Sequence, residues 1–188
     1  MEIKTTRLLL REFEESDWRA IMEYHSLQEY LRYYPWTERN EEDSRSFIQQ
    51  FIDWQGEEPR LKHQLAVTLL ANRTFIGSIG VRVTNREAGE AELGIELNPY
   101  YWHKGYAFEA AQAMLRLAFR DLDLHRIWAQ CVTDNIAVRR LLEKLGMHKE
   151  GVMRHNQRFK SRWWDTIYYG ILKEEWLQTF NLWHLYVE

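Results

Sequence analysis

Hydrophobic and polar positions along the chain follow two periods, which predict where strands and helices lie. Alternating apolar and polar residues, bounded by Gly, Pro, Asn or charged residues, are typical of strands. The strands predicted in this way cover residues 4–11, 63–70, 75–83, 90–97, 125–133, 147–153 and 164–172. Apolar residues three and four positions apart predict helices over residues 18–27, 105–122, 135–145 and 173–180, and another between residues 40 and 56.

Two stretches indicate the class of fold. Along residues 90–97, Leu93, Ile95 and Leu97 point to one face of the predicted strand, and glutamates point to the other. The following helix and strand make a strand–helix–strand unit, which predicts a right-handed crossover and a parallel pair. We therefore predict a single mixed α/β (α+β) domain over residues 1–188. Helices flank its mostly antiparallel sheet, which has about seven strands.

Composition narrows the class of protein. The 188 residues are 45% hydrophobic and 28% charged, as in ordinary globular domains, and a net charge of -3 disfavours a globally basic nucleic-acid binder. Cys131 has no second cysteine to pair with, which excludes a disulfide framework, and we expect it to be a small buried residue. The first residues lack an apolar signal-peptide core, and no apolar run is long enough to span a membrane. We expect a cytoplasmic protein without membrane partners.

The segment that follows residues 90–97 is where the sequence indicates chemistry. Asn98 and Pro99 stop the strand, and a short loop leads to Gly105 at the start of a helix. A helix N-terminus presents unpaired N–H groups and a positive dipole end, and Lys104 adds a cation, so a phosphate would be favoured there. The alternative, a glycine that only eases the turn, stays open. No P-loop, dinucleotide-binding, nucleophile-elbow or paired metal-ligand motif accompanies the segment.

The same segment resembles a known cofactor-binding motif. Residues 92–110 are similar to the motif of the GNAT N-acetyltransferases, and more narrowly to the RimJ/RimL type, which acetylates N-terminal α-amines of ribosomal proteins. The family's loop reads Gln/Arg-x-x-Gly-x-Gly/Ala. Trp102 stands at its first position, as is usual in this branch, and Gly105 and Ala107 stand at the others. Residues 6–11, 134–147 and 151–176 resemble further stretches of the branch, so the likeness covers about residues 3–178.

The resemblance implies acetyl-coenzyme A as co-substrate, without a metal. In the family it binds where two parallel strands splay apart, which here would be residues 90–97 and 125–133. Backbone groups of the first strand pair with the pantetheine arm, loop N–H groups hold the pyrophosphate, and an asparagine lies beside the arm. The matching positions are Ile95, Leu97, Trp102, His103, Lys104, Gly105, Tyr106, Ala107 and Asn135. Asn135 is equally well interpreted as a plain helix cap.

The implied reaction is the direct attack of a primary amine on the thioester in a ternary complex. By family position, Glu92 is the first choice for the general base, Glu96 is the second, and the Ile95 N–H is the candidate oxyanion donor. For either glutamate, a solvated charge on the strand face is the open alternative. Leu142 stands where many relatives carry a tyrosine acid. The thiolate then leaves without a positioned acid, or uses a tyrosine at residues 168–169.

The acceptor is the least determined part of the site. In this branch the acceptor groove lies between the helices after the first strand and the last hairpin. The candidate acceptor-contacting residues are Tyr33, Tyr34, Trp36, Glu96, Trp163 and Trp164. Packing in the core is the alternative for each aromatic residue. We predict a protein N-terminal α-amine as acceptor, with a small-molecule amine, such as an antibiotic, or a non-catalytic acyl-coenzyme A sensor as alternatives.

Other partners are less well indicated. The predicted loop over residues 154–162 carries several cations, which are more typical of a solvated hairpin tip than of a nucleic-acid contact. The sequence leaves the oligomeric state open, with a homodimer among the alternatives.

Overall fold

A computed structural model describes residues 1–178 of the chain. The strands are β1 (Glu2–Lys4), β2 (Leu8–Arg11), β3 (Lys62–Leu69), β4 (Phe75–Asn85), β5 (Glu90–Leu97), β6 (Arg126–Val132), β7 (His148–Phe159) and β8 (Arg162–Leu172). The helices are α1 (Trp18–His25), α2 (Gln28–Leu31), α3 (Glu41–Gln55), α4 (Tyr106–Arg116) and α5 (Ile136–Lys144). Within residues 1–178, no helix is long and apolar enough to cross a membrane.

The strands form one open sheet in the order β1-β2-β3-β4-β5-β6-β8-β7. The pairs β1–β2, β2–β3, β3–β4, β6–β8 and β7–β8 are antiparallel, and β5–β6 is parallel. The parallel register joins residues 90–92 to residues 126–128, and both strands run on beyond these pairs. The predicted mixed, mostly antiparallel sheet with one parallel pair is therefore confirmed.

The described sheet has eight strands instead of about seven, because the predicted first strand is divided. Residues 4–11 were expected to be continuous, but β1 ends at Lys4 and β2 begins at Leu8. The Thr5 N–H donates to the Leu8 carbonyl at 2.9 Å, which closes a turn between them. Ile3 and Leu10 then face each other as cross-strand partners.

The chain divides into two compact units. The first unit consists of Met1–Arg82 and Gly94–Met114, and the second of Val83–Leu93 and the chain from Leu115 onward. Strands β4 and β5 each contribute residues to both units. The single domain over residues 1–188 stays a prediction.

In the first unit, α1 packs against α3, and α3 packs against β3. The buried cluster of this unit consists of Phe13, Trp18, Ile21, Tyr24, Tyr30, Leu31, Ile48, Phe51 and Ala66. Asn40 begins α3 as predicted: its Oδ1 accepts from the Asp43 N–H at 2.9 Å, and its own N–H donates to Asp43 Oδ2 at 3.0 Å. This reciprocal capping box satisfies two backbone donors at the helix start.

The three- and four-residue spacing predicts that Trp18, Ile21, Met22 and His25 share the buried face of α1, and the structure changes one of these residues. Trp18, Ile21 and His25 are buried as expected, but Met22 is 38% exposed and Tyr24 takes its place. The helix also ends at His25, two residues before the predicted end. A short 3-10 turn at Glu15–Asp17 precedes it.

In the second unit, the region predicted as a basic loop is a long hairpin. Strand β7 continues to Phe159 and β8 begins at Arg162, so the cations of residues 154–162 lie mostly on strands. The turn contains Lys160 and Ser161, whose φ angles are 51° and 57°. Non-glycine residues in this left-handed region are uncommon, and no glycine signals the turn in the sequence.

Two helix predictions also change at their ends. The predicted helix over residues 105–122 ends as an α-helix at Arg116 and continues as a π-helical turn over Leu117–Asp121. The predicted helix over residues 173–180 is helical through residue 178, and its last two residues lie outside the described chain. Helix α5 is confirmed, with Leu142 and Leu145 buried and Gly146 at a φ of 85° just beyond its end.

Candidate functional site

The loop between β5 and α4 lies wholly in the first unit. The indole Nε1 of Trp102 donates to the Leu97 carbonyl at 2.7 Å, which attaches the loop to the end of β5. His103 and Gly105 have φ angles of 60° and 82°, in the left-handed region that favours glycine. Residues 102–105 are exposed, and α4 begins at Tyr106. The first N–H groups of α4 lack intrahelical partners, so an anion can bind at this exposed helix start.

The side chain of Lys104 binds its own loop. Its Nζ donates to the Tyr100 carbonyl at 2.9 Å and lies 5.2 Å from the ring centroid of Tyr101. The ammonium therefore stabilises the loop while keeping a positive charge beside it. Besides its predicted role as a cation for phosphate, Lys104 has a structural role in the loop that the sequence did not indicate.

Arg7 also contacts this segment, although the resemblance of residues 6–11 assigns it no role in the site. Its Nη1 donates to the Lys104 carbonyl at 2.9 Å, and its guanidinium lies 4.6 Å from the ring centroid of Tyr106. Its Nε donates to Glu109 Oε2 at 2.7 Å. Arg7 and Glu109 belong to two motifs that are 102 positions apart, and nothing in either motif signals that they meet.

The carboxylate of Glu96 is surrounded by hydrogen-bond donors of the first unit. The hydroxyl of Tyr24 donates to Oε1 at 2.8 Å, and that of Tyr30 donates to Oε2 at 2.6 Å. Ser78 Oγ donates to Oε1 at 3.3 Å, and His25 Nε2 lies 3.4 Å from the same oxygen. Only 10% of the Glu96 side chain is exposed. Glu96 is therefore not a solvated charge on the strand face.

These contacts shift the pKa values of Glu96, Tyr24 and Tyr30. Burial alone would raise the pKa of Glu96, but hydrogen bonds from His25, Tyr30 and Tyr24 outweigh it, and its pKa lies below the ordinary value. Burial and the neighbouring carboxylate raise the pKa of both tyrosines. Glu96 therefore stays ionised and the tyrosines stay protonated at neutral pH. A carboxylate held in this way accepts a proton only weakly.

A row of aromatic rings extends from this carboxylate. Tyr34 stacks on Tyr30 with centroids 4.8 Å apart, and Trp36 stacks on Tyr34 at 4.7 Å. Arg39 lies 5.0 Å from the Trp36 ring. Tyr33, which directly precedes Tyr34 in the chain, is half-buried. Trp36 Nε1 is buried without a hydrogen-bond partner within the described residues. The structure thus brings two of the predicted acceptor-contacting aromatic residues, Tyr34 and Trp36, into one row with Glu96.

Two further predicted residues belong to the second unit. Glu92 is half-buried on β5 and pairs in register with Trp128 of β6. Asn135 precedes α5, and its Oδ1 accepts from the Val138 N–H at 3.3 Å. The interpretation of Asn135 as a helix cap is confirmed, and its role toward acetyl-coenzyme A stays a prediction. Ile95, on the part of β5 in the first unit, is half-buried.

The aromatic residues of the last hairpin occupy different environments. Trp163 is 51% exposed and is flanked by His155, whose ring stacks on it at 6.2 Å, and by Arg158 at 5.6 Å. Trp164 is buried, and its Nε1 donates to the Phe159 carbonyl at 3.1 Å. Trp164 therefore packs inside the hairpin, whereas Trp163 lies on its surface.

The second unit also holds Cys131 and the residues that the sequence raised for protonation of the leaving thiolate. Leu142, at the position of the family's tyrosine acid, is buried in the core. Burial raises the pKa of Tyr169, whose hydroxyl donates to Glu143 Oε1 at 2.8 Å. Cys131 is half-buried and not fully buried as expected, yet burial raises the pKa of its thiol to about 11, so it stays protonated at neutral pH. Within residues 1–178, no three His, Cys, Asp or Glu side chains converge as metal ligands would.

Comparison with known proteins identifies the family. The model of the Acetyltransferase (GNAT) domain matches residues 7–148. The chain belongs to this family. A GNAT relative, the uncharacterized N-acetyltransferase YnaD of Bacillus subtilis, is 40% identical over 178 residues, which span 94% of this chain and 99% of that protein. The crystal structure of a GNAT-family acetyltransferase from Bacillus anthracis is 37% identical, with a TM-score of 0.81 over 93% of this chain and 99% of that one.

More distant GNAT structures share the fold. RimL, the ribosomal L7/L12 α-N-protein acetyltransferase, in complex with coenzyme A, has 19% identity and a TM-score of 0.81, over 92% of this chain and 98% of that one. The spermidine N-acetyltransferase of Vibrio cholerae, with coenzyme A and spermine, has 21% identity and a TM-score of 0.78, over 92% and 99%. The family and its named relatives show that this GNAT chain is an acetyl-coenzyme A-dependent N-acetyltransferase.

Proposed function

We propose that this enzyme transfers the acetyl group of acetyl-coenzyme A to the N-terminal α-amine of a protein. The observation that carries the proposal is the exposed loop at residues 102–105, which leads with left-handed backbone at Gly105 into the first turn of α4. Such a helix start favours the pyrophosphate of the co-substrate. The resemblance of the surrounding motif to the RimJ/RimL type supports the α-amine as acceptor.

The residues of the loop fit a phosphate-bearing co-substrate. A Cβ atom at Gly105 would lie 3.2 Å from Arg7 Nη2, so the missing side chain leaves space on a backbone that a cation already approaches. Acetyl-coenzyme A would supply the activated acetyl group, and the chain would supply binding and alignment. The backbone of Ile95 and Leu97, the loop at residues 103–107 and Asn135 are the positions we propose for its contacts.

The acceptor chemistry favours an α-amine over a lysine. The pKa of an α-amine is about 7.7–8.0, so roughly a tenth of it is neutral at pH 7, whereas a lysine amine has a pKa of about 10.4. A modest base therefore suffices. We assign it to Glu92, because Glu96 is held ionised by its donors and has a lowered pKa. The amine nitrogen attacks the thioester carbonyl, its proton passes to the base, and the carbon–sulfur bond breaks to release the thiolate.

The transition state needs support for the developing oxyanion. We propose that the Ile95 N–H supplies it, by its position on β5. A donor of this kind is worth about 2.7–4 kcal/mol of barrier lowering. Alignment of amine and thioester contributes up to about 7–11 kcal/mol. The buried Leu142 supplies no proton to the leaving group.

A second candidate acceptor is a small polyamine. The observation that favours it is the ionised Glu96 beside the row of Tyr30, Tyr34 and Trp36, because a carboxylate and aromatic faces together suit an organic ammonium. The spermidine N-acetyltransferase among the fold neighbours supports the same alternative.

A thiol-release assay with acetyl-coenzyme A and a panel of acceptors tests the proposal. We expect turnover of peptides that have a free N-terminus. We expect no turnover of the same peptides when the N-terminus is acetylated and a lysine side chain is still present. Turnover of spermidine alone would support the second candidate, and turnover of no amine at all would contradict both.

A matched pair of variants tests the loop in the same assay. Gly105→Glu should abolish coenzyme A binding by calorimetry. Gly151→Glu introduces the same charge at a glycine with open space around it and should leave binding unchanged. Binding that survives Gly105→Glu would remove the loop from the proposal.

A further inference from the structure

The segment between β1 and β2 is attached to α4 through a single carboxylate. Thr5 Oγ1 and the Arg7 N–H donate to Glu109 Oε1 at 2.6 and 2.7 Å, and Arg7 Nε donates to Oε2 at 2.7 Å. Burial would raise the pKa of Glu109, but these hydrogen bonds from Thr5 and Arg7 lower it. Glu109 is therefore ionised and satisfied by donors from a segment that precedes it by about a hundred positions.

The charge of Glu109 matters because of where it lies. Glu109 belongs to the first turn of α4, the same helix start that we propose for the pyrophosphate. An unpaired carboxylate there would repel a phosphate and offset the positive end of the helix dipole. The guanidinium of Arg7 neutralises that carboxylate at 2.7 Å and itself remains 46% exposed. The pair leaves the helix start without a net negative charge.

Arg7 also fixes the backbone of the loop. Its Nη1 donates to the Lys104 carbonyl at 2.9 Å. In a trans peptide the carbonyl and the following N–H point in opposite directions, so this bond also orients the N–H of Gly105. The guanidinium lies over the ring of Tyr106 at 4.6 Å, which holds the first residue of α4. Arg7 thus contacts three successive parts of the loop and helix start.

We propose that Arg7 is a positioning residue for the phosphates of acetyl-coenzyme A. It holds the loop at residues 103–107 in its anion-binding geometry and cancels the charge of Glu109. The proposal rests on the proposed function of that loop, and it names a residue outside the family's loop motif as a determinant of co-substrate affinity.

The test compares acetyl-coenzyme A with S-acetyl-pantetheine, a donor that lacks the whole 3′-phosphoadenosine diphosphate portion. Acetyl-coenzyme A carries the pyrophosphate, whereas S-acetyl-pantetheine lacks every phosphate. Arg7→Ala should raise the KM for acetyl-coenzyme A at least about tenfold, about 1.4 kcal/mol. It should leave kcat/KM for S-acetyl-pantetheine and the KM for the acceptor unchanged. Arg7→Lys keeps the charge but loses the fork geometry, so it should recover part of the loss.

Arg45→Ala is the matched control. Arg45 forms an exposed ion pair with Glu41 at 2.7 Å and stacks over Trp18, so it loses similar contacts away from the loop. We expect its kinetic constants to equal those of the unaltered enzyme. Circular dichroism checks that each variant is folded. If Arg7→Ala does not fold, Arg7→Lys should still show the loss with acetyl-coenzyme A alone.

The outcomes separate this proposal from the function on which it rests. An equal loss with both donors, or no loss with either, would overturn the role of Arg7 while leaving acetyl transfer intact. An unaltered enzyme that neither binds nor uses acetyl-coenzyme A would overturn the loop itself, and the role of Arg7 with it. A loss confined to the phosphate-bearing donor supports the proposal.

Discussion

Replacing Tyr30 with phenylalanine tests how strongly the first unit depends on the ionised Glu96. The Tyr30 hydroxyl donates to Glu96 Oε2 at 2.6 Å, and the residue is 5% exposed, so water does not readily replace the bond. A hydrogen bond to a charged group contributes about 1.5–3 kcal/mol. We expect Tyr30→Phe to lower the free energy of unfolding by that amount, which corresponds to a melting temperature lower by about 3–12 °C.

The loss should depend on pH, because the bond stabilises the ionised form of Glu96. Despite burial, hydrogen bonds from His25 and the two tyrosines hold the pKa of Glu96 below its ordinary value of 4.5. A carboxyl with a lowered folded pKa stabilises the protein fully above its unfolded pKa, and the stabilisation is lost as the pH falls through the folded pKa. The two proteins should therefore differ fully near pH 7 and converge only as the pH falls through the folded pKa of Glu96, which lies below 4.5.

Urea unfolding followed by tryptophan fluorescence at about pH 7 and about pH 4 measures both quantities. Tyr100→Phe is the control, because Tyr100 is 70% exposed and its loss should change stability by no more than about 0.5 kcal/mol. The reasoning is refuted if Tyr30→Phe costs no more than this control. It is also refuted if the cost is larger near pH 4 than near pH 7.

Other substitutions in the site have equally definite expected outcomes. Gly105→Ala should weaken coenzyme A binding about tenfold by calorimetry, because the φ of 82° strains a side chain, whereas Gly151→Ala should not. Glu92→Gln should lower kcat about 10²–10⁴-fold in the thiol-release assay, and an unchanged kcat would rule out this base. Trp102→Phe removes the 2.7 Å bond to the end of β5 and should raise the KM for acetyl-coenzyme A about fivefold, with the acceptor KM unchanged. Cys131→Ala should leave kcat unchanged, and rapid inactivation by a thiol reagent at neutral pH would contradict its pKa of about 11.

The elements that the sequence predicted best are those whose signals are local. Strand β5 has the predicted bounds, because strict alternation covers its whole length and Asn98 and Pro99 stop it. Helix α3 begins just after Asn40 and ends just before Gly56, the two residues that bounded its prediction. In each case the residues that determine the element are its immediate neighbours along the chain.

The predictions that were wrong depended on distant residues or on unmarked turns. The turn between β1 and β2 is held by Thr5 and Arg7 on Glu109, which lies about a hundred positions away. The apolar run at residues 8–10 between charges therefore suggested one continuous strand. The β7–β8 hairpin turns at Lys160 and Ser161 without a glycine. Strand β7 is exposed along most of its length and therefore shows no alternation of buried and exposed residues.

The candidate site divides in the same way. Its loop is a contiguous run, so a motif describes it, but the partners of Glu96 on α1 and α2 lie 66 to 72 positions away. Glu92 and Glu96 lie on the same face of β5, so the alternation of apolar and polar residues does not distinguish them. Alternation shows which face of a strand a residue occupies, but not what covers that face. The donors around Glu96 make it a fixed negative charge and a weak base, which agrees with its second place by family position. The catalytic assignment of this strand therefore depends on tyrosines that belong to none of the family's cofactor motifs, and changing them should alter Glu96 while leaving the loop at residues 103–107 intact.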